Sequence, residues 1–597
     1  MVRLPISPLP RENGNAQQEQ YPACSLKYEP YYLKRAPSFA PLNPEDGCLL
    51  SIIVSYNMNR RQFLGLKKDH TNIEATSKLA QWYPLPQEWT IEAVNHLYNR
   101  LGFSATTEEI NQALKKSPGE VIDELMDDAL VTTGMPEPPE FYERWMTVPA
   151  YRGDDYATAH AEDVLEHDSK TDIRNWWTVL MTKPEIQLRE RLVYFWHNHF
   201  VIEEVKIYYA VHYWRYFEYL RKNAWGNLKQ MVKDITIMPA MLKYLDGQWS
   251  QKSMINENYA REVMELFTMG ITDRSGKNNY TQEDVHNLAF ALTGWRYWFE
   301  APPPDVISPY FADYYFDFET KRSIWGSEAK VYGLAAAKDS RIEADVIDLL
   351  FEQRGQAIAW HIAKKVYVNF IYRGDLPDSS NDIIQELADT LIAYDWELKP
   401  MLSKLFKSQH FFSYLIRGGA IKSPYEFMVG ICRKLNIPLS PYQAGSIWWY
   451  GMDTGQYLGN PTNVKGWEGY RTWLNTATLP KRLNDIVRDL TLTGMIAPRI
   501  VNPHNGFLFD SIPFSDEQVT AWATQFESYA GELIDFLQEI NHFLLGIPIS
   551  IGRLNEMINR AGITQTYEWP SLSDESKVLP IRRLLFELLS APEYQLA

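Results

Sequence analysis

The chain has 597 residues, of which 45% are apolar and 22% charged, and a net charge of −16 at pH 7. That balance suits a globular protein and excludes a disordered one, while the acidic excess argues against non-specific nucleic-acid binding, which relies on Lys and Arg to neutralise phosphate. No stretch approaches the roughly 18 consecutive apolar residues of a membrane span. The three cysteines, Cys24, Cys48 and Cys432, have neither zinc nor redox spacing and form no disulfide framework. Aromatic residues reach 14%, which fits a ring-filled core and equally a groove for sugars or peptides.

Residues 1–57 carry no periodicity. Met58-Asn59-Arg60-Arg61-Gln62-Phe63-Leu64-Gly65 is similar to the opening of a twin-arginine export signal, but Lys67-Lys68-Asp69-His70 stand where its apolar stretch belongs. Either translation starts at Met58 or residues 1–57 are a poorly structured extension, and 58–89 read as a linker. A helical core is expected over 90–415, with a loop-rich and helical part over 416–597 packed on it.

Helical spacing begins at Ile91, with Gly102 as a stop and Ser104 or Thr106 as the next cap. Residues 136–170, rich in Pro, Asp and Tyr, read as an irregular connection. Asp172 to Trp225 reads as helix interrupted near Pro184, and Gly226 to Leu245 as another helix. Asn258–Met269 is a helix closed by Gly270, and Thr281 caps one that runs to Thr293. Residues 300–340 form a long loop or small hairpin. Helix returns over 342–412, and 417–480 is loop-dominated after a helix at Pro424–Leu435. From Ser515 to the end the pattern is helical. Period-two alternation is rare, so the expected fold is mainly α: a large, bundle-like, multi-helix body with long loop insertions and few or no strands.

Three segments look chemical. In Trp196-His197-Asn198-His199-Phe200 two imidazoles stand two apart at the end of a buried helix. On a helix they would diverge by about 200°, whereas at a frayed end both can face one site and begin a transition-metal centre. The alternative is that one caps helix-end carbonyls and the other packs in the core. In Asn256–Phe267 the residues Glu257, Asn258, Arg261, Glu262 and Glu265 share an arc of about 140°. This is either a solvated face with i,i+4 ion pairs or a set of groups for cation binding and proton transfer. In Asn460–Gly469, Asn463 and Trp467 either line a polar ligand or brace the core. There is no nucleophile elbow, P-loop, dinucleotide fingerprint or H-E-x-x-H.

With His96–Thr106, Ala291-Leu292-Thr293-Gly294-Trp295, Ile421–Pro424, Trp473–Leu479 and the closing Ser590–Gln595, these segments resemble, in order, the bacterial domain-of-unknown-function family numbered 1800 from about residue 90 onward. The family pattern has a His-Asp pair where Phe316–Lys321 lacks the His, and a glycine pair after the Trp where Glu468-Gly469-Tyr470 keeps one glycine. The resemblance implies a mostly helical, usually exported protein, often encoded beside a sulfatase- or phosphatase-like protein, and no established activity. Exported or periplasmic is what the family implies, cytoplasmic what the incomplete signal implies.

Two functions stay open. One is a metal-dependent hydrolase of an extracytoplasmic polymer. His197, His199 and Glu262 would hold a divalent transition metal. Glu257, Arg261 and Glu265 would be catalytic, and Asn258, Asn463 and Trp467 would bind substrate. The other is a non-catalytic scaffold or maturation partner for the sulfatase- or phosphatase-like neighbour.

Overall fold

A computed structural model describes residues 79–129, 156–297, 309–317, 322–328, 342–374, 376–496, 510–563 and 566–597. All of them belong to Arg60–Ala597, the second of the two units into which the chain divides. Residues 1–78 and 136–155, and parts of 300–340, for which the sequence gives expectations, lie outside the described residues.

The fold is predominantly α. Helix α1 (Ile91–Leu101) buries Val94, Leu97 and Leu101 completely, each worth roughly 1.5–3 kcal/mol of transfer free energy. Gly102 ends it, and Thr106 caps α2 (Thr107–Ala113) in a reciprocal box with Glu109. Ser117 caps α3 (Pro118–Leu125) in the same way.

Helix α4 (Tyr156–Leu180) corrects the irregular connection expected up to residue 170. Its middle, Ala161-Glu162-Asp163-Val164-Leu165-Glu166-His167-Asp168, is mostly polar, which hides the helical period. Pro184 separates it from α5 (Gln187–His199), as expected. The chain breaks again before α6 (Ala210–Lys222), a break not visible in the aromatic pattern. The single helix expected over 226–245 is two, α7 (Leu228–Ile237) and α8 (Pro239–Tyr244), because Pro239 cannot donate to the preceding turn and starts a new helix instead.

Helix α9 (Asn258–Glu262) does not continue as α-helix to Met269; it widens into a π-helix over Val263–Thr268 and turns at Gly270 with φ +77°. Thr281 caps α10 (Gln282–Ala291) with Asp284. A short ribbon pairs β1 (Trp295–Tyr297) with β2 (Pro309–Phe311), and β3 (Ser323–Ile324) pairs with β4 (Ser327–Glu328), both antiparallel.

Three helices follow: α11 (Ile342–Phe370), kinked at Arg354, α12 (Ser380–Ala393) and α13 (Leu398–Phe406). Helix α14 (Pro424–Lys434) is where expected. Helix α15 (Pro441–Asp453), inside the stretch read as loop, is a correction. Ser440 and Gln443 cap it and Ala444, Ile447 and Tyr450 are buried, although Gly445 and Gly451 weaken its local preference. A second π-helix, Arg482–Arg488, precedes the last ribbon, Met495–Ile496 with Ile512–Pro513, and the C-terminal helices.

One apolar cluster runs from Leu79 to Tyr594. Polar ties stitch its ends together. The Asn95 amide donates to the carbonyls of His542 (2.8 Å) and Phe543 (2.9 Å), and Ala597 N–H donates to Ala420 at 2.8 Å. No helix among the described residues is long and apolar enough to cross a membrane.

Candidate functional site

Both imidazoles of the His-x-His segment lie on α5, and the helix turns them apart. His197 is fully buried, its ring against Trp177, Phe217 and Trp467. Its Nδ1 lies 3.4 Å from the Tyr216 hydroxyl, whose own proton goes to the Phe200 carbonyl at 2.6 Å. Nδ1 is therefore the donor, and Nε2 is left without a hydrogen-bond partner. Burial pushes this imidazole down to about 3, so it is neutral.

His199 faces the π-helix. Its Nε2 lies 3.0 Å from the Phe267 carbonyl and its Nδ1 3.0 Å from Lys365 Nζ. Lys365 also donates to the Leu266 carbonyl at 2.8 Å, and His361 Nε2 approaches the same oxygen at 3.3 Å. The reason lies in the helix end. The last carbonyls of a helix lack intrahelical partners, and basic side chains satisfy them. Burial, with Lys365 beside it, holds His199 well below its ordinary range, and burial brings Lys365 down to about 8.

The expected ligand set of His197, His199 and Glu262 is not brought together: among the described residues, no group of three or more His, Cys, Asp and Glu could hold a metal ion. Consecutive helical residues turn by about 100°, so two that are two apart point to different sides. The donors do not fit a metal, since both nitrogens of His199 are engaged and His197 sits among rings.

The polar arc from Glu257 to Glu265 forms, although it runs from the N-cap of α9 into the π-helix rather than along one α-helix. Glu257 accepts from Arg261 Nη2 (3.2 Å) and Gln282 Nε2 (2.7 Å), and its other oxygen lies 3.0 Å from His286 Nδ1. Glu265 accepts from the Tyr280 hydroxyl at 2.5 Å and faces Arg261 Nη1 at 3.8 Å. Both i,i+4 ion pairs thus form, and α10 supplies Gln282 and His286, partners that spacing along one helix could not reveal. Asn258 is exposed, and its N–H caps onto the Asn256 side chain at 2.9 Å.

Glu262 differs from its neighbours. It is half-buried, and desolvation and then the Glu265 charge push its carboxyl above the usual range, with Arg261 and Lys465 opposing. The Tyr244–Glu203 hydrogen bond, 3.0 Å long, lies close enough for the Glu262 charge to act on Tyr244.

Lys465 belongs to the third segment, which packs on α5 through the residue between the two histidines. Asn198 Oδ1 accepts from Trp467 N–H at 2.7 Å. Gly466 has φ +86°, and a Cβ there would lie 2.5 Å from the Asn198 carbonyl oxygen. Only glycine fits both the backbone angle and the approach. Asn463 is exposed and turns the loop, its Oδ1 accepting from Lys465 N–H at 2.8 Å. Trp467 is buried, stacked on Tyr194 at 6.1 Å. Of the two roles left open for it, the brace is the one its burial matches. Asn198, Lys365, Tyr280 and His286 were not singled out by sequence reasoning, and only Asn198, lying between the two histidines, carried a signal of its own.

No curated protein and no solved structure matches the chain. The model of the family described as protein of unknown function (DUF1800) matches residues 96–596, and the chain belongs to that family.

Proposed function

We propose that this chain is a hydrolytic enzyme in which Glu262 is the general acid and Glu265 the carboxylate that works with it. The observation that carries the reading is the contrast between the two. Glu262 is half-buried with its carboxyl pushed up, while Glu265, three residues on, is held by the Tyr280 hydroxyl and the Arg261 guanidinium. Two carboxyls set apart by their surroundings are the usual division between acid and base. A protonated Glu262 would give its proton to a leaving group, and Glu265 would draw one from water. Lys465, Asn463 and Asn258 are exposed polar groups on the elements around that face and suit a polar polymer or its fragments. The metal-dependent form of this reading has the donor geometry against it, because the nitrogens of His199 already have partners.

The test is a screen of the full-length protein on extracytoplasmic polymers and their fragments, with and without chelator, beside Glu262→Gln. Activity in the wild type that persists in chelator and falls at least about a hundredfold in the variant supports the reading. Activity that Glu262→Gln leaves unchanged overturns it, and loss in chelator alone restores the metal.

A second reading, a non-catalytic scaffold for a sulfatase- or phosphatase-like partner, draws on the Glu257–Arg261–Gln282–His286 network, which ties α9 to α10. It expects Arg261→Ala to lower stability and no chemistry to be found.

A further inference from the structure

Behind the Asn463–Trp473 segment, on the side of α5 facing α14, two buried guanidiniums share one carboxylate among the described residues. Arg191 and Arg373 both face Glu426, Arg373 at 3.5 Å, and all three side chains are buried or nearly so. Lys422 is buried against the Tyr594 ring, 3.9 Å from its centroid; burial brings it down to about 7, against the pull of Glu426, so an anion beside it would favour its charged form. Among the described residues, Glu426 is the one carboxylate whose charge bears on Arg373 and Lys422 alike. Buried cations in excess of their counter-charge are costly unless another anion completes the set.

The hydrogen-bond donors there show a deficit as well. The indole N–H groups of Trp467 and Trp473, the Asn369 amide nitrogen and Arg191 Nε are buried and have no hydrogen-bond partner. All four are donors, and the one acceptor beside them that is likewise without a hydrogen bond, Glu426 Oε1, is taken up by the Arg191 ion pair. They are contiguous: Trp467 stacks on Tyr194, Arg191 lies 5.6 Å over the same ring, and Arg373 donates to Asn369 Oδ1 at 2.8 Å. Gly469 leaves open a position 3.5 Å from Trp473 Nε1 and 3.9 Å from Arg373 Nη1, where a side chain would otherwise stand. Buried donors without acceptors are rare in folded proteins, and water satisfies them without neutralising charge.

We propose that this cluster, centred between Arg373 and Trp473 with Arg191 and Lys422 behind, is an oxyanion-binding site, for free phosphate or sulfate or for such a group on a larger ligand. Arg373 presents the charge, the indole N–H groups fix the orientation, and the missing Cβ of Gly469 leaves room for an oxygen. It is independent of the carboxylate pair described above and stands or falls without it.

The experiment is calorimetric titration of the full-length protein with inorganic phosphate and with phenyl phosphate at constant ionic strength, beside Trp473→Phe and Arg373→Gln. Trp473→Phe keeps a ring and removes the N–H. Circular dichroism confirms that each variant is folded. Saturable binding near one per chain, weakened about tenfold or more in both variants, is expected, since hydrogen bonds to charged groups carry effects of that size. Tighter binding of the monoester identifies the ligand as a group on a larger molecule, and tighter binding of phosphate identifies a free anion. No binding of either probe, or binding that neither variant weakens, which would mean an adventitious ion only, overturns the proposal.

Discussion

Lys365 Nζ lies 3.0 Å from Nδ1 of His199, and the other nitrogen of that imidazole lies 3.0 Å from the Phe267 carbonyl. An ammonium therefore occupies the direction a metal ion would need, and the pair serves to hold the end of the π-helix. Protein purified without chelator is expected to carry no stoichiometric transition metal that His197→Ala/His199→Ala abolishes. Chelator is expected to leave the thermal midpoint unchanged. Plasma mass spectrometry and a melting curve check both, and a near-stoichiometric metal lost in the double variant would contradict the expectation.

The same lysine makes stability depend on alkaline pH. Its folded value of about 8 lies below the ordinary 10.5, so between those values the unfolded chain binds more protons and stability rises with pH. Below about 8 the lysine costs the fold up to about 3 kcal/mol. Lys365→Met is expected to abolish the rise between pH 8 and 10, read as the difference between urea midpoints of the two proteins.

Acid acts through the imidazoles. His197, His212 and His361 are each pushed from 6.5 to about 3, and His410 to about 4, all by burial first. These groups are neutral in the fold. Their contribution is complete above pH 6.5 and is lost progressively as pH falls below it. Unfolding with uptake of several protons is expected between pH 6.5 and 4. His197→Phe is expected to shallow that dependence, because it removes one titrating group and an unpartnered Nε2.

Gly466 meets Asn198 through both its side chain and its backbone oxygen. Gly466→Ala is expected to cost about 2 to 5 kcal/mol, from left-handed backbone strain and from overpacking together. The cost is expected to persist in an Asn198→Ala background, since the backbone oxygen and the φ of +86° remain. Denaturant titration of the four proteins of that cycle measures it, and full rescue by Asn198→Ala would locate the clash in the side chain alone.

Once a substrate is in hand, the pH profile reports on Glu262. A general acid must be protonated, so activity is expected to fall as pH rises through a value above the ordinary 4.5. Arg261→Gln removes the positive charge that opposes this shift and is expected to move the alkaline limb upward. A limb unmoved by that change would assign the proton to another group.

Sequence alone determined the helical class, the cap at Thr281, the break at Pro184 and the polar arc from Glu257 to Glu265, and it narrowed the cap of α2 to Ser104 or Thr106. Each depends on residues within one or two turns of one another, where propensity, capping and period act directly. Tertiary packing decided the rest. It divided His197 from His199, because the helix persists through both and each ring takes its own neighbours. It turned Val263–Thr268 into a π-helix whose end is held by Lys365 and His361, about a hundred residues further along. It formed Pro441–Asp453 as a helix against its glycines, because Ala444, Ile447 and Tyr450 are buried there. Partners at such separations leave no trace in local spacing. Desolvation, which sets the state of Glu262 and of every buried imidazole, is a property of the packed core alone.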